Sequence, residues 1–215
     1  MNIFFTSDLH FGCVGVYSEY GHPFPNYATY EHTIIENINS MCQRKDILYI
    51  VGDALDYNGN VPHRSQYLDL SIEALCKLQC RIRIIPGNNE ERLCKHKFDN
   101  NWKALQSYFS KYGIYLCEQT MNVGIESTIW QLNHYIDNHA YDRLNLYGHC
   151  HREKSITSVG INTSITLTGY YPLSTKQLKV LVRRACAYSI PRNHIPKVND
   201  VDFNLYFEYD KILNK

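Results

Sequence analysis

No stretch of this 215-residue chain stays apolar for the ~20 residues that a membrane-spanning helix needs, so no bilayer segment is expected. An excess of one charge sign is missing too: 22 Lys and Arg face 21 Asp and Glu, a formal net charge of +1. So balanced a chain offers no global electrostatic case for a nucleic-acid or membrane surface, although a local patch stays open. There is no glycine-rich loop of the kind that cradles nucleotide phosphates, no internal repeat and no low-complexity tract. The opening Met1-Asn2-Ile3-Phe4-Phe5 reaches Asp8 and His10 too soon for a signal peptide. The cysteines (Cys13, Cys42, Cys76, Cys80, Cys94, Cys117, Cys150 and Cys186) are therefore read as reduced thiols of a cytoplasmic protein.

What is present suits a globular chain: 44% hydrophobic and 20% charged residues can bury a core. One domain over residues 1–184 is expected, with a C-terminal extension over 185–215. That tail carries Pro191 and Pro196 and an alternating Phe203-Asn204-Leu205-Tyr206-Phe207 run, the pattern of an edge strand or an arm.

Along the chain, Asn2 to Ser7 reads as a buried strand. From about Tyr30 a helix places Ile34, Ile35, Ile38, Met41 and Cys42 on one face. Ile47–Val51 is a second strand, Asn58-Gly59-Asn60 with Pro62 a turn, and Leu68, Ile72, Leu75 and Leu78 mark a second helix. Arg81–Ile85 is a third strand. Strands and helices alternating with short links imply parallel pairing and right-handed crossovers. Trp102, Leu105, Tyr108 and Phe109 predict a further helix. Beyond Gly113 the texture changes, and Ile114–Leu116, Thr128–Leu132, Asn145–Tyr147 and Ile161–Leu167 predict a second, mixed or antiparallel sheet. Leu173 to Arg184 reads as a closing helix.

The chemistry concentrates where apolar runs stop. Ile47-Leu48-Tyr49-Ile50-Val51 ends at Gly52-Asp53, which delivers a carboxylate to the C-terminal tip of a strand, the edge where open α/β sheets bind ligands. Four other junctions end in the same residue types: Asp8-Leu9-His10, Gly87-Asn88-Asn89-Glu90, Asn133-His134 and Gly148-His149-Cys150-His151. Each alone is ordinary, since a buried histidine is usually structural. Together they assemble nitrogen and oxygen donors, which suit manganese, iron, zinc or nickel better than calcium.

The order of these blocks resembles the calcineurin-like metallophosphoesterases, over Met1 to about Ser174. The resemblance implies an α/β fold of two packed mixed β-sheets flanked by helices, a four-layer sandwich. It implies a phosphoester hydrolase with two divalent metal ions, one on Asp8, His10, Asp53 and His151 and the other on Asp53, Asn88, His134 and His149. Asp53 would bridge them, at the ~3.5–4 Å separation typical of such pairs. Two divalent cations against Asp8 and Asp53 leave the site electropositive, which favours a metal-bridging hydroxide and draws in a phosphate.

One block departs from the family pattern. The family's Gly-Asn-His-(Asp/Glu) reads Gly87-Asn88-Asn89-Glu90, and that histidine assists leaving-group departure. Asn89 offers a hydrogen bond but no titratable proton. A lean towards phosphodiesters follows, with nucleotides, cyclic phosphates or nucleic-acid ends as substrates. His22, His63, His96 or His139 could instead swing in from a loop as the acid. Asp56 is either a hydrogen-bond partner of a ligating histidine or a plain turn aspartate. Tyr57 stands where larger relatives place a phosphate-gripping arginine. Specificity is expected in the loops from Phe11 to Tyr27 and Tyr57 to Gln66, whose Tyr17, Tyr20, Phe24, Tyr27 and Tyr57 either stack on a base or pack locally.

Other readings stand beside this one. A phosphomonoesterase, such as a nucleotidase or protein phosphatase, keeps the same metals and tolerates Asn89. A non-catalytic metal-binding scaffold for a protein partner would be expected to have lost ligands. A zinc site on Cys76, Cys80, Cys94 and His96 has loose spacing. Cys150 could act as a nucleophile, but in an extended segment its side chain faces away from its neighbours'. The sequence sets no oligomeric state.

Overall fold

The computed structural model describes residues 1–12, 23–57, 64–125, 128–135, 144–151, 156–157 and 160–187. The expected turn at 58–62 and the tail beyond 187 lie outside these residues.

Strand β1 (Ile3–Thr6) leads to helix α1 (Tyr27–Met41), then β2 (Ile47–Val51), α2 (Arg64–Cys76) and β3 (Arg81–Ile85). Two consecutive helices follow, α3 (Asn88–Phe98) and α4 (Trp102–Ser110), then β4 (Tyr115–Leu116). The second half holds β5 (Thr120–Ile125), β6 (Thr128–Asn133), β7 (Leu144–Tyr147), β8 (Ile156–Thr157), β9 (Gly160–Asn162), β10 (Leu173–Ser174) and α5 (Thr175–Ala187). The strands form two mixed five-stranded sheets with flanking helices. The first runs β10-β1-β2-β3-β4, with β1 to β4 parallel and β10 antiparallel to β1. The second runs β5-β6-β7-β9-β8.

The period of two sorts each strand between two cores. In β2, Leu48 and Ile50 face the helices, where Ile34, Ile38, Leu68, Leu75 and Leu93 pack. Ile47, Tyr49 and Val51 face the other way, into a core shared with Trp130, Leu132 and Leu146 of the second sheet. A strand covered on both faces has no polar side to show, which explains the unbroken apolar run.

The structure departs from the sequence-based expectations at several boundaries. Helix α1 begins at Tyr27 because Asn26 caps it, its Oδ1 accepting the Thr29 N–H at 2.9 Å. Helix α3 was not expected at all: the polar block Asn88-Asn89-Glu90 is its first turn. Ile114–Leu116 was assigned to the second sheet, but Tyr115 and Leu116 pair in parallel with Arg83 and Ile84 of the first. The strand expected over Ile161–Leu167 stops at Asn162, whose Oδ1 accepts the Ser164 N–H at 2.9 Å and turns the chain; Ser164 then bridges to Ser7. Leu173 and Ser174 extend the first sheet rather than open the last helix. Ser174 and Gln177 instead exchange hydrogen bonds as a capping box for α5. Among the described residues no helix is long and apolar enough to cross a membrane.

Candidate metal centre

All five junctions meet at one end of the sandwich. The turn after β1 is braced on the turn after β2: the Asp8 and His10 N–H groups donate to the Gly52 and Asp53 carbonyls at 3.1 and 3.0 Å. The turn after β7 closes on both, since the His149 N–H donates to Asp8 Oδ1 at 3.0 Å. Ser7 Oγ donates to the other Asp8 oxygen at 2.9 Å. At the end of β6, His134 lies over Gly52, where a Cβ would overlap the imidazole ring. A Cβ at Gly87 would likewise overlap Asp53. The glycine-then-polar pairs of the sequence are thus close approaches between neighbouring turns.

Two groups of donors result. Asp8, His10 and His151 offer ligand atoms within 4.8 Å of one another, and so do Asp53, His134 and His149. The groups touch through Asp53, whose Oδ2 lies 3.5 Å from His134 Nε2 and 3.9 Å from His10 Nε2. Asn88 joins the second group, its Oδ1 3.2 Å from His134 Nε2 and 3.1 Å from His149 Nδ1. The rings of His10 and His151 stack at 5.1 Å. Every residue that the family resemblance assigned to a metal therefore lies in this cluster.

The backbone is strained here. Asp8, His10, Asp53, His149 and His151 have φ of 58°, 45°, 50°, 67° and 43°, five of the eight described non-glycine residues with positive φ. The left-handed region costs an L-residue roughly 1–2 kcal/mol. Such strain gathers where function demands a geometry.

The electrostatics suit a cation. Because Val51 O only accepts, His134 Nδ1 must donate to it across their 3.1 Å bond, which turns Nε2 towards Asp53 and Asn88. There Nε2 meets two acceptor oxygens, and a positive charge at that point relieves all three. Without a metal a proton serves: burial opposes it, but Asp53 outweighs burial and lifts His134 to about 9. Burial likewise works against charge on Asp53, yet His134 and then His10 hold its carboxyl well below the usual range. Burial drives His151 down to about 4, with His10 adding to it against the pull of Asp8, so its imidazole is a neutral donor. The residue types, their burial and their convergence fit divalent ions.

Glu90 had no role assigned from sequence. Fully buried, it accepts the backbone N–H groups of Gly87, Ala54 and Asp53 at 2.7, 3.0 and 3.1 Å, pinning the turn that carries Asp53. Burial, then the Asp53 charge, pushes it up to about 7. The Gly-x-x-Glu spacing of a helix start was the available signal. Asn89 is also buried; its N–H donates to Asp53 Oδ1 at 2.9 Å and its Oδ1 accepts the Tyr57 N–H at 3.0 Å. The remaining polar group of its side chain is the Nδ2 donor.

Other candidates separate from the site. Among the described residues, no hydrogen bond joins the Asp56 carboxylate to a histidine, and its N–H donates to Phe11 O at 2.9 Å. Phe24 packs edge-on against Tyr30 and Tyr170, and the Tyr27 hydroxyl binds Gly12 N–H and Glu31. Both are therefore engaged in local packing. Tyr57 is buried beside His96, which sits on helix α3 rather than on a mobile loop. Tyr17, Tyr20, His22, His63 and His139 lie outside the described residues. Cys76, Cys80, Cys94 and His96 form no metal-ligating group among the described residues; Cys80 pairs instead with Cys42. Cys150 belongs to neither donor group.

Residues 1–204 match the model of a family described as calcineurin-like phosphoesterase. An uncharacterized protein of Methanocaldococcus jannaschii is 23% identical over 189 residues, covering 85% of this chain and 92% of that protein. A protein of unknown function from Aquifex aeolicus superposes with a TM-score of 0.57 at 17% identity, over 84% of this chain and 98% of the other, which speaks for a shared fold. A structure described as a novel archaeal phosphodiesterase gives a TM-score of 0.42 at 17% identity, over 79% and 88% of the two chains.

Proposed function

The chain belongs to the calcineurin-like phosphoesterase family of metal-dependent phosphoester hydrolases, and from that premise we propose a dinuclear enzyme that favours phosphodiesters. In this reading Asp8, His10, Asp53 and His151 hold one divalent ion, and Asp53, Asn88, His134 and His149 the other. When bound, such a pair supplies Lewis acidity and an activated water for in-line attack on phosphorus. Manganese is the ion of choice, and iron, zinc or nickel suit the same donors.

The observation that carries the reading is the place of Asp53. A single buried carboxylate oxygen faces a histidine of each group, at 3.5 and 3.9 Å. Glu90 and the Asn89 N–H hold that carboxylate and its backbone in place. His134 is oriented by Val51, and His149 is carried by a turn locked to Asp8.

Asn89 shapes the substrate preference. With Oδ1 committed to Tyr57, the Asn89 side chain keeps Nδ2 to hold a leaving oxygen by a hydrogen bond, and it transfers no proton. General acid catalysis is worth about 10²–10⁴ in rate. A site without it would leave the departing oxygen to the Asn89 Nδ2 hydrogen bond and to the charge of the divalent ions, and we read nucleotide or nucleic-acid diesters as its class.

The test uses manganese-loaded protein. It should cleave bis(4-nitrophenyl) phosphate at least as fast as 4-nitrophenyl phosphate, and Asp53→Asn should lose both bound metal and hydrolysis. A strong monoester preference overturns the diester reading. Two metal equivalents retained by Asp53→Asn overturn the bridging role.

A further inference from the structure

We propose that a cavity on the flank of α3 seats the nucleotide unit adjoining the scissile phosphodiester, with its phosphate on Arg92 and Lys95 and its base on Trp102. The proposal rests on the phosphodiesterase reading above and gives it a substrate class.

The cavity holds about 520 Å³, within the usual size range of small-ligand sites. Its wall includes Asn88, Glu91, Arg92, Lys95, Trp102 and Gln119. Asn88 belongs to both places: it lines the cavity, and its Oδ1 lies 3.2 and 3.1 Å from His134 and His149. Asn88 thus places the cavity next to the metal centre.

The α3 residues in the wall are spaced i, i+3, i+4 and i+7, so they form one stripe of the helix. From Asn88, Arg92 is about 6 Å and Lys95 about 10 Å further along the axis, at 1.5 Å per residue. Arg92 and Lys95 are therefore neighbours on one stripe leading away from Asn88, close enough to share a phosphate.

These cations are available. Among the described residues no acid lies within 4 Å of Arg92 or Lys95 in an ion pair. Glu91, the acid in the wall, is engaged instead by Gln119 Nε2 at 3.0 Å. A guanidinium and an ammonium side by side recognise phosphate oxygens. An indole on the same wall adds what a bare phosphate does not use, a flat face for a base. Trp102 opens α4, packs in part against the core and is only half-buried, and it lines the cavity.

The substrate set that decides the matter is pTpT, TpT and bis(4-nitrophenyl) phosphate, each with manganese-loaded enzyme. The wild type should favour pTpT over TpT in KM, because only pTpT carries the adjoining terminal phosphate. Arg92→Ala/Lys95→Ala should erase that difference, raising KM for pTpT about tenfold or more. Trp102→Ala should lower kcat/KM for both dinucleotides relative to the aryl diester, about tenfold, with Trp102→Phe recovering most of it. Equal losses on all three substrates indicate a structural role and overturn the proposal, as does a pTpT-to-TpT ratio untouched by the double variant. If the wild type hydrolyses none of them, the phosphodiesterase reading fails separately. The cavity is then judged by pTpT binding, read as quenching of tryptophan fluorescence. Quenching that Trp102→Phe removes supports it, and its absence overturns it.

Discussion

Removing the Glu90 carboxylate should loosen the turn that carries Asp53. That carboxylate accepts three close backbone N–H bonds, from Gly87 at 2.7 Å, Ala54 at 3.0 Å and Asp53 at 3.1 Å, and a longer one from Leu55 at 3.4 Å. Glu90→Ala leaves these donors in a fully buried site. Each unmet buried donor costs about 1–3 kcal/mol, so the close ones alone set a range of roughly 3–9 kcal/mol. Two effects reduce it. Water can enter the space left by the side chain and meet some donors. The wild type also bears the cost of a second buried carboxylate beside Asp53, the reason Glu90 sits at about 7. We therefore expect a net loss of about 3 kcal/mol, which for a chain of this size lowers Tm by roughly 6–12 °C.

Glu90→Gln should fall between wild type and Glu90→Ala. The amide keeps one acceptor oxygen but turns an NH₂ towards backbone donors. Differential scanning calorimetry of the metal-free variants gives the stability, and manganese titration by calorimetry gives the affinity. Loss of a group that orients a ligand typically weakens metal binding about 10–100-fold. If Glu90→Ala melts within about 2 °C of wild type and titrates manganese unchanged, Glu90 does not hold the Asp53 turn.

Three further outcomes are expected. Gly52→Ala places a Cβ against the His134 ring at a φ of 87°, so it should cost about 2 kcal/mol or more in urea unfolding and displace His134 from its Asp53 contact. Asp46 is held below the ordinary carboxylate range by the Asn2 and Gln43 N–H groups, so its contribution is present above the unfolded pKa of about 3.9 and is lost as pH falls through the lower folded value; Asp46→Asn should flatten that part of the acid-unfolding curve. Manganese at about 100 times its Kd should stabilise the protein by about 2.7 kcal/mol per site, a gain that EDTA reverses and Asp53→Asn lacks.

Sequence exposed the centre of this protein better than its rim. Apolar runs located β1 and β2, because a strand covered on both faces has few polar residues to confuse the pattern, and β3 showed by the alternation of Arg81 and Arg83 with buried Ile82 and Ile84. The polar residues that follow those runs stood out for the same reason. Helix α3 was missed because its first turn is the polar block itself, and its core contribution is limited to residues such as Leu93 and Cys94. Two-residue strands such as β4 and β10 carry no period at all; tertiary pairing with β3 and β1 decides where they go. In the sequence Glu90 is only the last residue of the block after β3, and the folded chain shows its carboxylate buried among backbone donors.

The strain at the centre says how its geometry is kept. Five left-handed residues at roughly 1–2 kcal/mol each amount to about 5–10 kcal/mol, comparable with the whole net stability of an ordinary domain. Relaxation of any one turn would release part of that, so something outside each turn must oppose it. The hydrogen bonds identify the restraints: Asp8 and His10 are tied to Gly52 and Asp53, Asp53 to Glu90, and His149 to Asp8. The His151 carbonyl is held by Asn162 Nδ2 at 3.0 Å. Every strained residue is thus fixed by an element from elsewhere in the chain, and none depends on a neighbour in its own turn alone. Cross-bracing of this kind should keep the donors converged whether or not an ion is bound, so metal binding need not organise the site from disorder. Stripping the metal should accordingly weaken the protein by the binding energy while leaving the fold's far-ultraviolet circular dichroism intact, and a collapse of that spectrum on EDTA treatment would show that the braces do not suffice.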